Sequence, residues 1–63
     1  MKRNWLRIYR ENKNKTQQEV AEKGDISQSA YAMIEIGERN PSVGTAKKIA
    51  EVLEFDWTKF YEK

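Results

Sequence analysis

Cysteine and histidine are both absent from this 63-residue chain. Their absence excludes a disulfide framework, thiolate or imidazole metal sites, Cys and His nucleophiles and imidazole bases; a zinc finger is ruled out with them. No apolar run approaches the roughly 20 residues of a membrane span. The opening Met1-Lys2-Arg3-Asn4-Trp5 is not followed by a signal-peptide core, so the cytoplasm is the expected compartment. Carboxylates and lysines are present, but no nucleophile–base pair or phosphate loop is visible, and a chain this short has little room for a cleft. An enzyme is not expected, nor a cofactor or metal. Proline occurs once and glycine three times. The length fits a single domain spanning residues 1–63, of a size that buries only about 60% of its unfolded surface and is correspondingly modest in stability.

Charge is scarce in sum and uneven in place. The net charge is +2, weak evidence for a nucleic-acid partner if it were spread evenly. Residues 1–16 hold Lys2, Arg3, Arg7, Arg10, Lys13 and Lys15 against Glu11 alone, a balance of +5. Residues 17–37 hold Lys23 against Glu19, Glu22, Asp25 and Glu35, or −3, and the remainder sums to zero. A basic segment of this kind is either a solvated helix face or an anion-facing one, and only its position in the fold decides.

The informative stretch runs from Thr16 to Gly37, TQQEVAEKGDISQSAYAMIEIG. Thr16 followed by Glu19 is a capping box, which starts a helix at Gln17. Val20 and Ala21 are its apolar residues, and Gly24-Asp25, types that accept positive φ, end it after about two turns. Ser27 can cap a second helix beginning at Gln28. At about 100° per residue, Gln28, Ser29, Ala32 and Met33 share one sector of that helix, and Ala30, Tyr31 and Ile34 another. The second sector reads as core. The first is small, uncharged and amide-bearing, whereas a solvated face in so charged a chain would carry Lys and Glu. Two readings stand: a plain surface, or a face that reads bases, since Gln can serve adenine N6/N7 while Ala and Met touch a thymine methyl.

The string T-Q-x-E-V-A-x-x-x-x-I-S-x-S-x-Y-x-x-I-E-x-G-x-R-N-P-S, Thr16 to Ser42, closely resembles the helix-turn-helix domain of phage repressors and Cro proteins, the Xre-like family. The resemblance extends from about Leu6 to Tyr61. It implies an all-α, lambda-repressor-like bundle of about five short helices, with a recognition helix at about 28–36 in the major groove and the helix from Gln17 across the phosphate backbone. The implied function is sequence-specific binding of double-stranded DNA and regulation of transcription, repression by occlusion above all. The resemblance further implies that Arg10 pairs with Glu35 as a structural ion pair, and that Gln17 both holds a phosphate and braces Gln28.

Around that stretch, Trp5, Leu6, Ile8 and Tyr9 mark a first helix from about Lys2 or Arg3 to Asn12. Asn14 stands where such domains place a helix-ending glycine, a conformation Asn tolerates. Lys15 replaces an aliphatic residue, Gly24 replaces an apolar one, and Asp25 takes the place of the usual Gly. Gly37 ends the recognition helix. Pro41 disfavours helix at Asn40, and Ser42 caps a helix from Val43 with Ala46, Ile49, Ala50 and Leu53 at core spacing. Gly44 in its first turn is either a mild defect or room for a close approach. Phosphate contacts fall to Gln17, Arg39, Asn40, Ser42 and Val43, since helix N-termini offer unpaired amides.

Asp56 can cap a last short helix with Trp57, Phe60 and Tyr61, preceded by Phe55; Glu54 again replaces a glycine. These aromatics are either core closure or a dimer surface, with Trp5 a further candidate, because members of the family it resembles often bind pseudo-palindromic sites as two-fold dimers, which implies a homodimer on DNA. Two other functions fit the sequence. One is an antitoxin-like or phage-switch regulator that holds a protein partner through its aromatic C-terminus. The other is a helical protein-interaction module that does not bind DNA.

Overall fold

A computed structural model describes residues 3–62. Four α-helices follow one another, α1 (Asn4–Asn12), α2 (Gln17–Lys23), α3 (Gln28–Ile36) and α4 (Val43–Leu53), and a 3-10 helix, Trp57–Tyr61, closes the chain. The described residues contain no strand. The fold is all-α, and its fifth element is a 3-10 turn.

The caps act as their residue types dictate. Thr16 Oγ accepts from the Glu19 amide while the Glu19 carboxylate accepts from the Thr16 amide, so two otherwise unpaired N–H groups are satisfied reciprocally. Ser27 caps α3 by accepting from Ala30, Ser42 caps α4 by accepting from Thr45, and Asp56 caps the 3-10 helix by accepting from Thr58. Arg3 has no side chain able to cap. Its backbone leaves the helical region at φ −97°, ψ 67°, and its N–H donates to the Glu35 carbonyl, so α1 starts at Asn4. Lys2, the alternative expected start, lies outside the described residues.

All four α-helices end alike. A residue with positive φ follows the last turn, and the next amide reaches back five residues: Lys15 to Arg10, Ile26 to Ala21, Glu38 to Met33 and Phe55 to Ala50. Only α3 uses glycine for this, with Gly37 at φ 84°, while Asn14, Asp25 and Glu54 take φ 56°, 59° and 60°. Gly24 has φ −86°, so of the Gly24-Asp25 pair only Asp25 needs the left-handed region. Gly24 is buried, and a Cβ there would lie 3.4 Å from Ile49 Cγ1.

The core joins Leu6, Val20, Ala21, Tyr31, Ile34, Ala46, Ile49, Leu53 and Phe60. Burying such side chains is worth about 1.5–3 kcal/mol each against leaving them in water. Ile8, grouped by spacing with the apolar face of α1, is exposed instead. Trp5, Tyr9, Phe55 and Phe60 pack as an aromatic cluster with ring centres 5.0–6.3 Å apart. That cluster corrects one expectation: Phe60 is 6% exposed and cannot belong to a dimer surface. Trp5 is half-buried in the same cluster. None of the described helices is long and apolar enough to cross a membrane.

Candidate nucleic-acid interface

α3 divides along its length. In angular order at about 100° per residue, Ala30, Ile34, Tyr31 and Glu35 form one arc, and all four are buried. Gln28, Ala32, Ile36, Ser29 and Met33 form the opposite arc. Gln28 and Ser29 are exposed, Ala32 is half-buried, and Met33 and Ile36 are 41% and 47% exposed. Ile36 escaped the sequence reading, although the helical angle places it between Ala32 and Ser29; an isoleucine near a helix end passes too easily for core. The outward arc is therefore uncharged over its whole length, with an amide at its N-terminal end and two apolar side chains towards its C-terminal end.

Behind Gln28 stands a chain of polar contacts that reaches the interior. Arg10 Nε donates to Glu35 Oε2 at 2.6 Å and Arg10 Nη2 to Glu35 Oε1 at 3.4 Å, with the two side chains 13% and 5% exposed. Arg10 Nη1 also donates to the Lys15 carbonyl at 3.0 Å. Gln17 Nε2 donates to Glu35 Oε1 at 3.2 Å, and Gln17 Oε1 accepts from Gln28 Nε2 at 3.4 Å. Burial works against the Glu35 charge, but hydrogen bonding led by Arg10 outweighs it, and the carboxyl is held below its ordinary range. Tyr31 lies beside this carboxylate with its buried hydroxyl outside good hydrogen-bonding geometry; burial, with Glu35 next, pushes its ionisation up. Because both ends of the Gln17 side chain are engaged, its second amide hydrogen is what it can still offer outward.

The loop after α3 carries the other sequence-selected polar residues. Arg39, Asn40 and Ser42 line a shallow cleft with Thr45 of α4 and Ala30 of α3. Arg39 and Asn40 are exposed. Asn40 Oδ1 accepts from Arg3 Nη2 at 2.6 Å, which leaves its NH2 group as the available donor. Ser42 Oγ is engaged with Thr45 as the cap of α4, and Val43, exposed, is the first residue of that helix. Gln28, Gln17, Arg39 and Asn40 thus sit on elements that meet around α3, while Ser42 contributes through its cap.

The basic N-terminal segment resolves differently. Arg3 and Arg10 turn inward to protein acceptors, and Lys13 pairs with Glu54 at 2.7 Å. Lys48 pairs with Asp25. Arg3 is a second residue the sequence reading did not single out, since nothing in a run of basic residues separates an inward arginine from a solvated one.

At the C-terminal end, Trp57 is half-buried under the Lys47 ammonium, 5.2 Å from its ring centre. Tyr61 is exposed and donates to the Pro41 carbonyl at 3.0 Å.

Two short helices joined by a four-residue connection, with the second helix outward on an uncharged arc, are the geometry of a helix-turn-helix. A family model described as helix-turn-helix matches residues 6–60. The chain belongs to the Xre/Cro-like helix-turn-helix family. This is a DNA-binding family of transcription regulators. A relative from Bacillus subtilis strain 168, the uncharacterized HTH-type transcriptional regulator YqaF, is 52% identical over 62 residues, covering 98% of this chain and 82% of its own length. No solved structure matches the chain.

Proposed function

We propose that the protein regulates transcription, as a repressor, by binding a specific double-stranded DNA sequence through α3. The observation that carries this reading is the outward arc of α3: it has no charge and, Ala32 apart, is exposed, yet its N-terminal amide is tied through Gln17 to a buried ion pair. A solvated helix face needs no such bracing. In this reading Gln28, Ser29, Ala32 and Met33 meet base edges, with Gln28 suited to adenine and Ala32 and Met33 to thymine methyl groups. Gln17, Arg39, Asn40, Ser42 and Val43 position the domain on phosphates, Ser42 and Val43 through backbone amides at the start of α4. Repression follows from occupying the site. The DNA is a pseudo-palindromic operator bound by a homodimer in the cytoplasm, with Trp57 and Tyr61 at the two-fold contact.

Binding titrations with two variants test the division of labour. Gln28→Ala should lose discrimination at one base pair by about 1–3 kcal/mol and bind scrambled duplex as before. Arg39→Ala should weaken all duplexes alike and flatten the salt dependence. Equal losses from Gln28→Ala on specific and scrambled DNA would contradict the assignment.

A further inference from the structure

Arg3 reaches further across the fold than any role in phosphate attraction requires. Its Nη1 donates to the Ile34 carbonyl at 2.7 Å and to the Arg39 carbonyl at 3.1 Å, and its Nη2 to Asn40 Oδ1 at 2.6 Å. Its backbone amide donates to the Glu35 carbonyl at 2.8 Å, and the guanidinium lies 5.7 Å from the centre of the Phe60 ring. The Ile34 and Glu35 carbonyls belong to the last turn of α3, where helical partners run out and a cation is favoured by the helix dipole. Arg39 and Asn40 belong to the loop that leaves it. One planar fork therefore joins the end of α3 to the loop, with the Phe60 ring on one side of it.

We propose that Arg3 is a positioning residue for DNA binding: it holds Arg39 and Asn40 in register with α3 so that phosphate grip and base reading engage together. This rests on the DNA-binding reading above. Arg3 itself does not touch the duplex. It acts by removing freedom from the loop before binding, so that less is lost when the complex forms. Lysine cannot do this, because a single ammonium cannot span three acceptors in one plane.

The test is a set of duplex titrations, on a site selected by the wild-type protein, with Arg3→Lys and Arg3→Gln in the wild-type background and in an Arg39→Ala/Asn40→Ala background. Circular dichroism fixes a temperature at which each is folded. In the wild-type background both Arg3 variants should weaken binding by roughly three- to tenfold, the size of one or two lost hydrogen bonds. In the double-alanine background the same changes should cost less than about twofold, because the phosphate-gripping side chains that Arg3 positions are gone even though the backbone carbonyls it bonds remain. Wild-type affinity for Arg3→Lys with a loss only for Arg3→Gln would mean that charge alone matters, and would overturn the proposal. So would equal losses in both backgrounds, or folded variants that bind as the wild type does. If Arg3→Gln does not fold, Arg3→Lys across the two backgrounds carries the same decision. A wild-type protein without salt-dependent affinity for any duplex would remove the DNA reading itself, whereas wild-type binding with indifferent Arg3 variants would remove only the role of Arg3.

Discussion

Replacing Arg10 with methionine should cost about 3 kcal/mol at pH 7 and far less near pH 4.5. The Glu35 carboxylate is 5% exposed and takes its two closest charged hydrogen bonds from Arg10. Methionine keeps most of the apolar volume and leaves that carboxylate with Gln17 as its remaining hydrogen-bonded donor. The penalty has a ceiling, because the stranded group can always take up a proton. At pH 7, protonating a carboxyl whose unfolded value is about 4.3 costs about 3.7 kcal/mol, at 1.36 kcal/mol per pH unit. At pH 4.5 the same ceiling is only about 0.6 kcal/mol, and what remains is lost packing and the bond to the Lys15 carbonyl.

The wild-type and variant proteins should therefore respond differently as pH falls from 7 to 4.5, the wild type changing little and the variant gaining stability. In the wild type the folded Glu35 value is depressed, so its contribution is present above the unfolded value and is lost as pH falls through the folded one. In Arg10→Met the folded value is raised, and stability should climb as pH falls from 7 towards 4.5. Urea denaturation of both proteins at the two pH values measures this. A domain of this length has about 3–9 kcal/mol to lose, so the variant should keep only about 0–6 kcal/mol at neutral pH. Restoring packing with Arg10→Met/Glu35→Met should bring stability back to within about 1–2 kcal/mol of wild type. A loss under about 1 kcal/mol at pH 7, or one that does not shrink on acidification, would refute the reasoning.

Two smaller predictions concern backbone conformation. Glu54 holds φ 60° with an exposed ion pair to Lys13, so Glu54→Gly should gain about 0.5–1 kcal/mol net of the added freedom of the unfolded chain, read as a higher denaturation midpoint. Gly44 in the first turn of α4 has nothing within 4 Å of a built Cβ. Gly44→Ala should therefore stabilise by about 0.5 kcal/mol and leave duplex affinity unchanged; a stabilised variant that binds DNA more weakly would show that the backbone there meets a phosphate closely.

The elements that the sequence made legible are those set by local chemistry. The caps at Thr16, Ser27, Ser42 and Asp56 need only a short side chain and an amide two or three residues on, and each is where its residue type put it. The split of α3 follows from angle alone. What could not be read locally was which way a long side chain turns. Arg3 and Arg7 look alike in a basic run, yet Arg3 turns into the end of α3 while Arg7 is exposed. Ile8 and Trp5 lie only about 60° apart round α1, and only the arrival of Phe55 and Phe60 decides that Trp5 is covered. Phe60 was open between core and surface for the same reason: its partner, Trp5, lies at the far end of the chain.

The central claim is that the outward arc of α3 selects a DNA sequence, and selection from random duplex tests it most directly, run in parallel for the wild-type protein and Gln28→Ala. The wild type should enrich a two-fold related motif, and Gln28→Ala should enrich the same motif with preference lost at one base pair in each half. Selection of no motif by the wild type, or of an unchanged motif by Gln28→Ala, would contradict it.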